Sequence, residues 1–129
     1  MAVRDDFTAG EVLSAQDLDD TFAAKADVAL TTNSETASYT LVLDDQGKCV
    51  EMNVASANTL TVPPNSSVNF PVGAVILIAQ TGAGQTTLTA GSGVTINSTP
   101  GLKLRAQWST ATLIKRATDT WLAFGDLSA

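Results

Sequence analysis

Residues 51–81 read EMNVASANTLTVPPNSSVNFPVGAVILIAQT. The stretch opens with alternating Leu60-Thr61-Val62, meets Pro63-Pro64, and passes through polar Asn65-Ser66-Ser67. Pro71 and Gly73 then precede Ala74-Val75-Ile76-Leu77-Ile78-Ala79, the longest apolar run in the chain. Two adjacent prolines fix φ and supply no N–H, so neither a helix nor a central strand crosses them. The apolar run is far too short for a membrane span. Its β-branched residues read as a central strand covered on both faces. A strand, a rigid corner and a buried strand are the skeleton of a small all-β domain.

Downstream of this skeleton, turn signals recur about every ten residues. Gly82 and Gly84, Gly91 and Gly93, and Pro100-Gly101 separate short alternating segments over residues 85–90, 94–97 and 102–105. Residues 112–116 and 120–124 read as a last hairpin around Ala117-Thr118-Asp119. Upstream, residues 39–43 and 49–53 read as a hairpin closed by Asp44-Asp45-Gln46-Gly47, where the glycine is free to take positive φ. Eight or nine strands result, and the expected body, residues 37–129, is a small antiparallel β-sandwich or jelly roll. The paired glycines hint at a local repeat too short to read as a solenoid.

The first 36 residues differ in kind. Residues 31–36 hold no apolar side chain and read as a polar linker. Before them, Ser14 is a good N-cap, and Asp17, Asp19 and Asp20 complement the dipole of a helix expected over residues 15–28. Leu18 and Phe22 lie on one face of it. Phe7, Val12 and Leu13 stand in a short polar setting that suits an arm docking onto a surface. These five residues are the candidates for partner binding. Residues 1–36 thus form an expected anchoring arm, short helix and linker.

Charge follows the same division. The chain carries a net charge of −6, and most of that excess lies in the first 30 residues; the body holds Lys48, Lys103, Arg105, Lys115 and Arg116 against six acids. A nearly neutral body without a basic cluster is a poor nucleic-acid binder. Only 16% of residues are charged, which favours packing between subunits over a free monomer. There is no histidine and one cysteine, Cys49. Serine and cysteine triads, thiol–imidazole pairs and histidine metal sites are therefore excluded within one chain, and Cys49 reads as a small apolar residue in a strand. Residues 1–6 lack the apolar core of a signal peptide, so synthesis in a cytoplasm is expected, with no membrane span. No cofactor or metal site is expected.

The remaining motifs have plain readings. Gly82-Ala83-Gly84-Gln85 lacks the third glycine and the helix of a nucleotide loop. Asp44-Asp45 reads as a turn rather than a cation site. Lys103, Arg105, Lys115 and Arg116 read as a solvated face. Trp121 reads as core, Trp108 as core or interface, with a sugar-stacking role for Trp108 or Tyr39 as the rival. Glu51, Asp119 and Asp126 are the only carboxylates left for a glycosidase-like pair, so an enzyme is not expected.

Several segments together resemble a β-domain of tailed-bacteriophage structural proteins. They are Val50-Glu51-Met52-Asn53, residues 58–66, Phe70-Pro71-Val72-Gly73, residues 80–86, residues 91–96 and residues 119–127. Residues 7–15 also resemble the N-terminal attachment segment of such proteins. The resemblance covers residues 37–127 and implies a homotrimer without enzymatic activity or cofactor, held on the major capsid or tail protein of a virion assembled in the host cytoplasm. The short segment before the domain points to a compact capsid-decoration (cement or head-fibre-like) protein. The alternative is a tail-fibre or minor tail protein with a receptor- or glycan-binding tip.

Overall fold

The computed structural model describes residues 29–129. In chain order it contains β1 (Thr32–Glu35), β2 (Tyr39–Thr40), a 3-10 turn (Leu43–Asp45), β3 (Cys49–Met52), β4 (Asn58–Val62), β5 (Val75–Ala79) and β6 (Thr86–Ala90). Then follow β7 (Thr95–Asn97), β8 (Lys103–Leu104), β9 (Thr110–Ala117), β10 (Thr120–Gly125) and β11 (Leu127–Ser128). The all-β expectation holds for these residues. The helix expected over residues 15–28 lies outside them.

The strands form two sheets. A six-stranded sheet has the order β1-β3-β5-β9-β10-β7, and a five-stranded sheet has the order β11-β8-β6-β4-β2. Consecutive strands from β1 to β6 alternate between the sheets. Within each sheet those strands are parallel: β1 with β3, β3 with β5, β2 with β4, and β4 with β6. This is the winding of a β-solenoid, and it replaces the expected antiparallel sandwich or jelly roll in the first half of the body. Antiparallel pairing comes later: β9 joins β5 and β10, while β8 joins β6 and β11.

The reason lies at the expected hairpin of residues 39–53. Parallel neighbours need a crossover, and here the crossover is a strand of the opposite sheet. Leu41 is buried in the core, and Asp45 behind it is also buried. The Asp45 carboxylate accepts hydrogen bonds from the Val42 N–H (2.9 Å), the Tyr39 hydroxyl (2.7 Å) and the Asn33 amide (2.9 Å). These bonds turn the chain from one sheet to the other, so β2 and β3 never pair. Asp44-Asp45 is thus a turn, with Asp45 its polar centre. The segment read as a linker is edge strand β1. An edge strand needs one partner only, and polar side chains suit its open side.

Between the sheets lies one apolar core. Val50 stands beside Ile78, and Ile78 beside Ala111; Leu60 stands beside Leu88 in the facing sheet. All five are buried. The Pro63-Pro64 corner leads into a loop that seals one end. Its Phe70 packs edge-on against buried Trp121, with centroids 5.5 Å apart at 88°, an arrangement worth about 1 kcal/mol beyond the area it buries. Lys115 is buried there, not solvated with Arg116 as expected. Its ammonium donates to the Asn65 side chain (2.6 Å) and the Phe70 carbonyl (2.7 Å), so it ties β9 to the loop.

The opposite end is held by polar groups. Buried Gln80 accepts from the Thr86 N–H, and the Thr86 hydroxyl donates to Asn58 at 2.7 Å. Gly82 and Gly84 lie directly beneath the Val54 and Ser56 backbone, where any Cβ would collide. Their glycines serve the close stacking of successive coils.

Candidate functional site

Two outer faces and one loop carry the features that could meet a partner. On β5 the side chains of Ile76 and Ile78 turn inward, which sends Val75, Leu77 and Ala79 outward. The strand register places Val75 beside Ile114, Ile114 beside Leu122, and Leu122 beside Asn97. A second row runs Cys49, Leu77, Thr112 and Phe124. The outer face of the six-stranded sheet therefore carries an apolar patch, Val75, Leu77, Ile114, Leu122 and Phe124 on β5, β9 and β10, flanked by polar Ser34, Glu51, Thr110 and Thr112. Val75 is 40% exposed and Phe124 47% exposed. Among the described residues no layer covers it, so β5 is central in its sheet but covered on one face only. A groove of about 480 Å³ at its β7–β10 edge is lined by Asn97, Ser98, Thr99, Leu122, Ala123 and Phe124.

The outer face of the five-stranded sheet has another character. Thr40, Thr61 and Thr89 form one row, and Thr59, Thr87 and Lys103 a second. Threonine fits a strand sterically and offers water a hydroxyl. This face needs no cover.

The loop spans residues 105–109. The Ser109 N–H donates to the Ala106 carbonyl at 3.0 Å, closing a tight turn. Trp108 occupies its third position at φ +74°, where glycine ordinarily sits. The residue is 70% exposed. A bulky side chain with positive φ costs about 1–2 kcal/mol, and the surroundings enforce it. The Trp108 N–H donates to the Gln80 carbonyl (2.6 Å), and the Gln80 N–H donates to the Ser109 carbonyl (2.9 Å). The Ser109 hydroxyl donates to Asp126 at 2.7 Å, and the Arg105 guanidinium donates twice to the same carboxylate, at 2.8 and 3.0 Å. These Arg105 and Ser109 bonds hold the Asp126 carboxyl below the usual carboxylate range. The Gln107 side-chain amide donates to the Thr81 carbonyl at 3.0 Å.

The carboxylates considered for catalysis do not converge. Asp119 accepts from the Asn65 N–H at 2.6 Å in the β9–β10 turn. Asp126 lies past the other end of six-residue β10, which separates them by roughly 20 Å at the rise of a strand. Glu51 lies on the outer face of β3. Tyr39 is half-buried and spent on Asp45; burial, then that bond, push its hydroxyl up to about 12. Among the described residues no three His, Cys, Asp or Glu side chains cluster as metal ligands, and no helix is long and apolar enough to cross a membrane. Phe7, Val12, Leu13, Leu18 and Phe22 lie outside the described residues.

No family model, curated protein or solved structure matches the chain.

The functional reading rests therefore on these surfaces and on the sequence resemblance. Sequence reasoning missed the apolar patch on the outer face, although the unbroken run of β5 and Leu122 with Phe124 on β10 carried its signal. It had no signal for the backbone strain at Trp108.

Proposed function

We propose that the chain is a non-enzymatic structural protein of a tailed-phage virion, a trimeric capsid-decoration protein held by its N-terminal segment. The observation that carries this reading is the apolar patch of Val75, Leu77, Ile114, Leu122 and Phe124 on the outer face of the six-stranded sheet. Leaving such a patch in water is unfavourable by roughly 25 cal/mol per Å², and large exposed apolar patches mark interaction sites. Copies of the same chain are its proposed cover, as befits a body with almost no net charge. A threefold assembly then matches threefold or quasi-threefold positions on a shell, with Phe7, Val12, Leu13, Leu18 and Phe22 as its proposed attachment to the major capsid protein.

Electron microscopy of purified virions tests the assignment. The expected result is density for this chain at threefold positions of the head. Density on the tail favours the second reading, a fibre or minor tail protein with a binding tip, for which exposed Trp108 is the supporting observation. Absence from purified virions contradicts both. Deletion of residues 1–13 is expected to abolish incorporation while leaving a folded trimer.

A further inference from the structure

Lys115 is the one buried basic side chain among the described residues, only 2% exposed. Lysine is almost never buried in full unless a charged partner accompanies it. Here the nitrogen meets two neutral oxygens instead, Asn65 Oδ1 at 2.6 Å and the Phe70 carbonyl at 2.7 Å. Among the described residues the one ion pair is Arg105 with Asp126. Trp121 stands beside Lys115 in the register of β9 and β10 and packs edge-on against Phe70, so two buried aromatic residues border the lysine. A methionine would fill this position without burying a charge. The amine therefore has chemistry at hand that a packing role does not use.

We propose that Lys115 and Asn65 are a self-modification site, at which the lysine amine condenses with the asparagine side chain to form an isopeptide bond. A lysine desolvated in an apolar pocket is an activated nucleophile. Holding it against its electrophile replaces a bimolecular encounter with an effective concentration of roughly 10⁵–10⁸ M in well-oriented systems. The hydrogen bond to Oδ1 polarises the amide and keeps Nζ next to the carbon that it attacks. In the step, Nζ bonds to Cγ and the Cγ–Nδ2 bond breaks. Nδ2 takes up two of the three ammonium protons and leaves as ammonium, so the sum balances without a co-reactant. The Asp119 carboxylate, which accepts from the Asn65 N–H at 2.6 Å, is placed to relay those protons. Asn65 is only half-buried, which gives the leaving group a way out. The bond closes residues 65–115 into a ring and fixes the loop after Pro63-Pro64 to β9, a staple that a chain with one cysteine cannot make from an internal disulfide. This inference does not rest on a place in a virion.

Mass spectrometry of the full chain, beside Lys115→Arg and Asn65→Ala, tests this. The parent is expected to weigh less than its sequence by one ammonia, while both variants match theirs. A tryptic map of the parent should join the fragment holding Asn65 to the one holding Lys115, with cleavage after Lys115 lost. That map decides the question even where a variant does not fold. The proposal is overturned if the parent yields Asn65 and Lys115 in separate, unmodified fragments. An ammonia loss that persists in Lys115→Arg is a cyclic imide at Asn65-Ser66 and overturns it equally.

Discussion

The two sheets share a core and a strand rhythm, yet one outer face carries an apolar patch and the other does not. The five-stranded sheet shows water two rows of threonine, one of which ends at Lys103. The six-stranded sheet shows Val75, Ile114 and Leu122 in one row, and Leu77 and Phe124 in the next. Both inner faces obey one requirement, since each supplies half of the core. The outer faces obey no common requirement, so their difference records what lies beyond the domain. A threonine face is complete in a monomer. The apolar patch on the other sheet is what the proposed oligomer would cover.

Several measurements would break or sharpen this contrast. The largest expected effect falls where the sheets join. Gly84→Ala puts a Cβ into the Ser56 backbone and should cost about 3 kcal/mol in chemical denaturation. It should loosen both faces together, and an unchanged midpoint would refute the close coil stacking. Next come the faces themselves. Leu77→Ala should lower the melting temperature by an amount that depends on protein concentration, equivalent to about 1–2 kcal/mol in the assembled state. Thr87→Ala, its counterpart on the other sheet, should stay within about 0.5 kcal/mol. Equal effects would erase the distinction.

Titration gives smaller effects. The Tyr39 hydroxyl is held up to about 12 by burial and by Asp45, against about 10 in the unfolded chain. Its contribution is whole below pH 10 and is lost as pH rises from there through 12. Tyr39→Phe should flatten that alkaline slope in denaturation measured across the range. Asp126 behaves in the opposite sense. Its carboxyl is depressed by Arg105 and Ser109, so its contribution is present above the ordinary aspartate range and fades as acid protonates it. The group is exposed and the effect small; Asp126→Asn should remove it and loosen the Trp108 turn.

Much of this was legible in the residues. The strand positions from β3 to β10, the Pro63-Pro64 corner and the core role of Trp121 follow from alternation, proline geometry and ring size, whereas β11 at Leu127–Ser128 gave no signal. The winding did not, because a period of two is the same for parallel and antiparallel strands. What decides it is Asp45, whose three long-range or turn bonds form only in the folded chain. Polar residues 31–36 read as a linker because an edge strand and a linker share a composition. Lys115 alternates correctly for an inward position, but its charge argued for solvent until the Asn65 and Phe70 oxygens were placed beside it. Trp108 shows the limit most plainly. Backbone strain belongs to the fold around a residue, and no letter in a sequence carries it.

The central claim concerns which face is covered. Light scattering coupled to size exclusion, on the full chain at micromolar concentration, tests it most directly when two double variants are run beside the parent. The account predicts a trimer for the parent, a trimer for Thr61→Lys with Thr87→Lys, and a folded monomer for Leu77→Lys with Phe124→Lys. A monomeric parent, or a trimer that survives charges on the apolar patch, would contradict it.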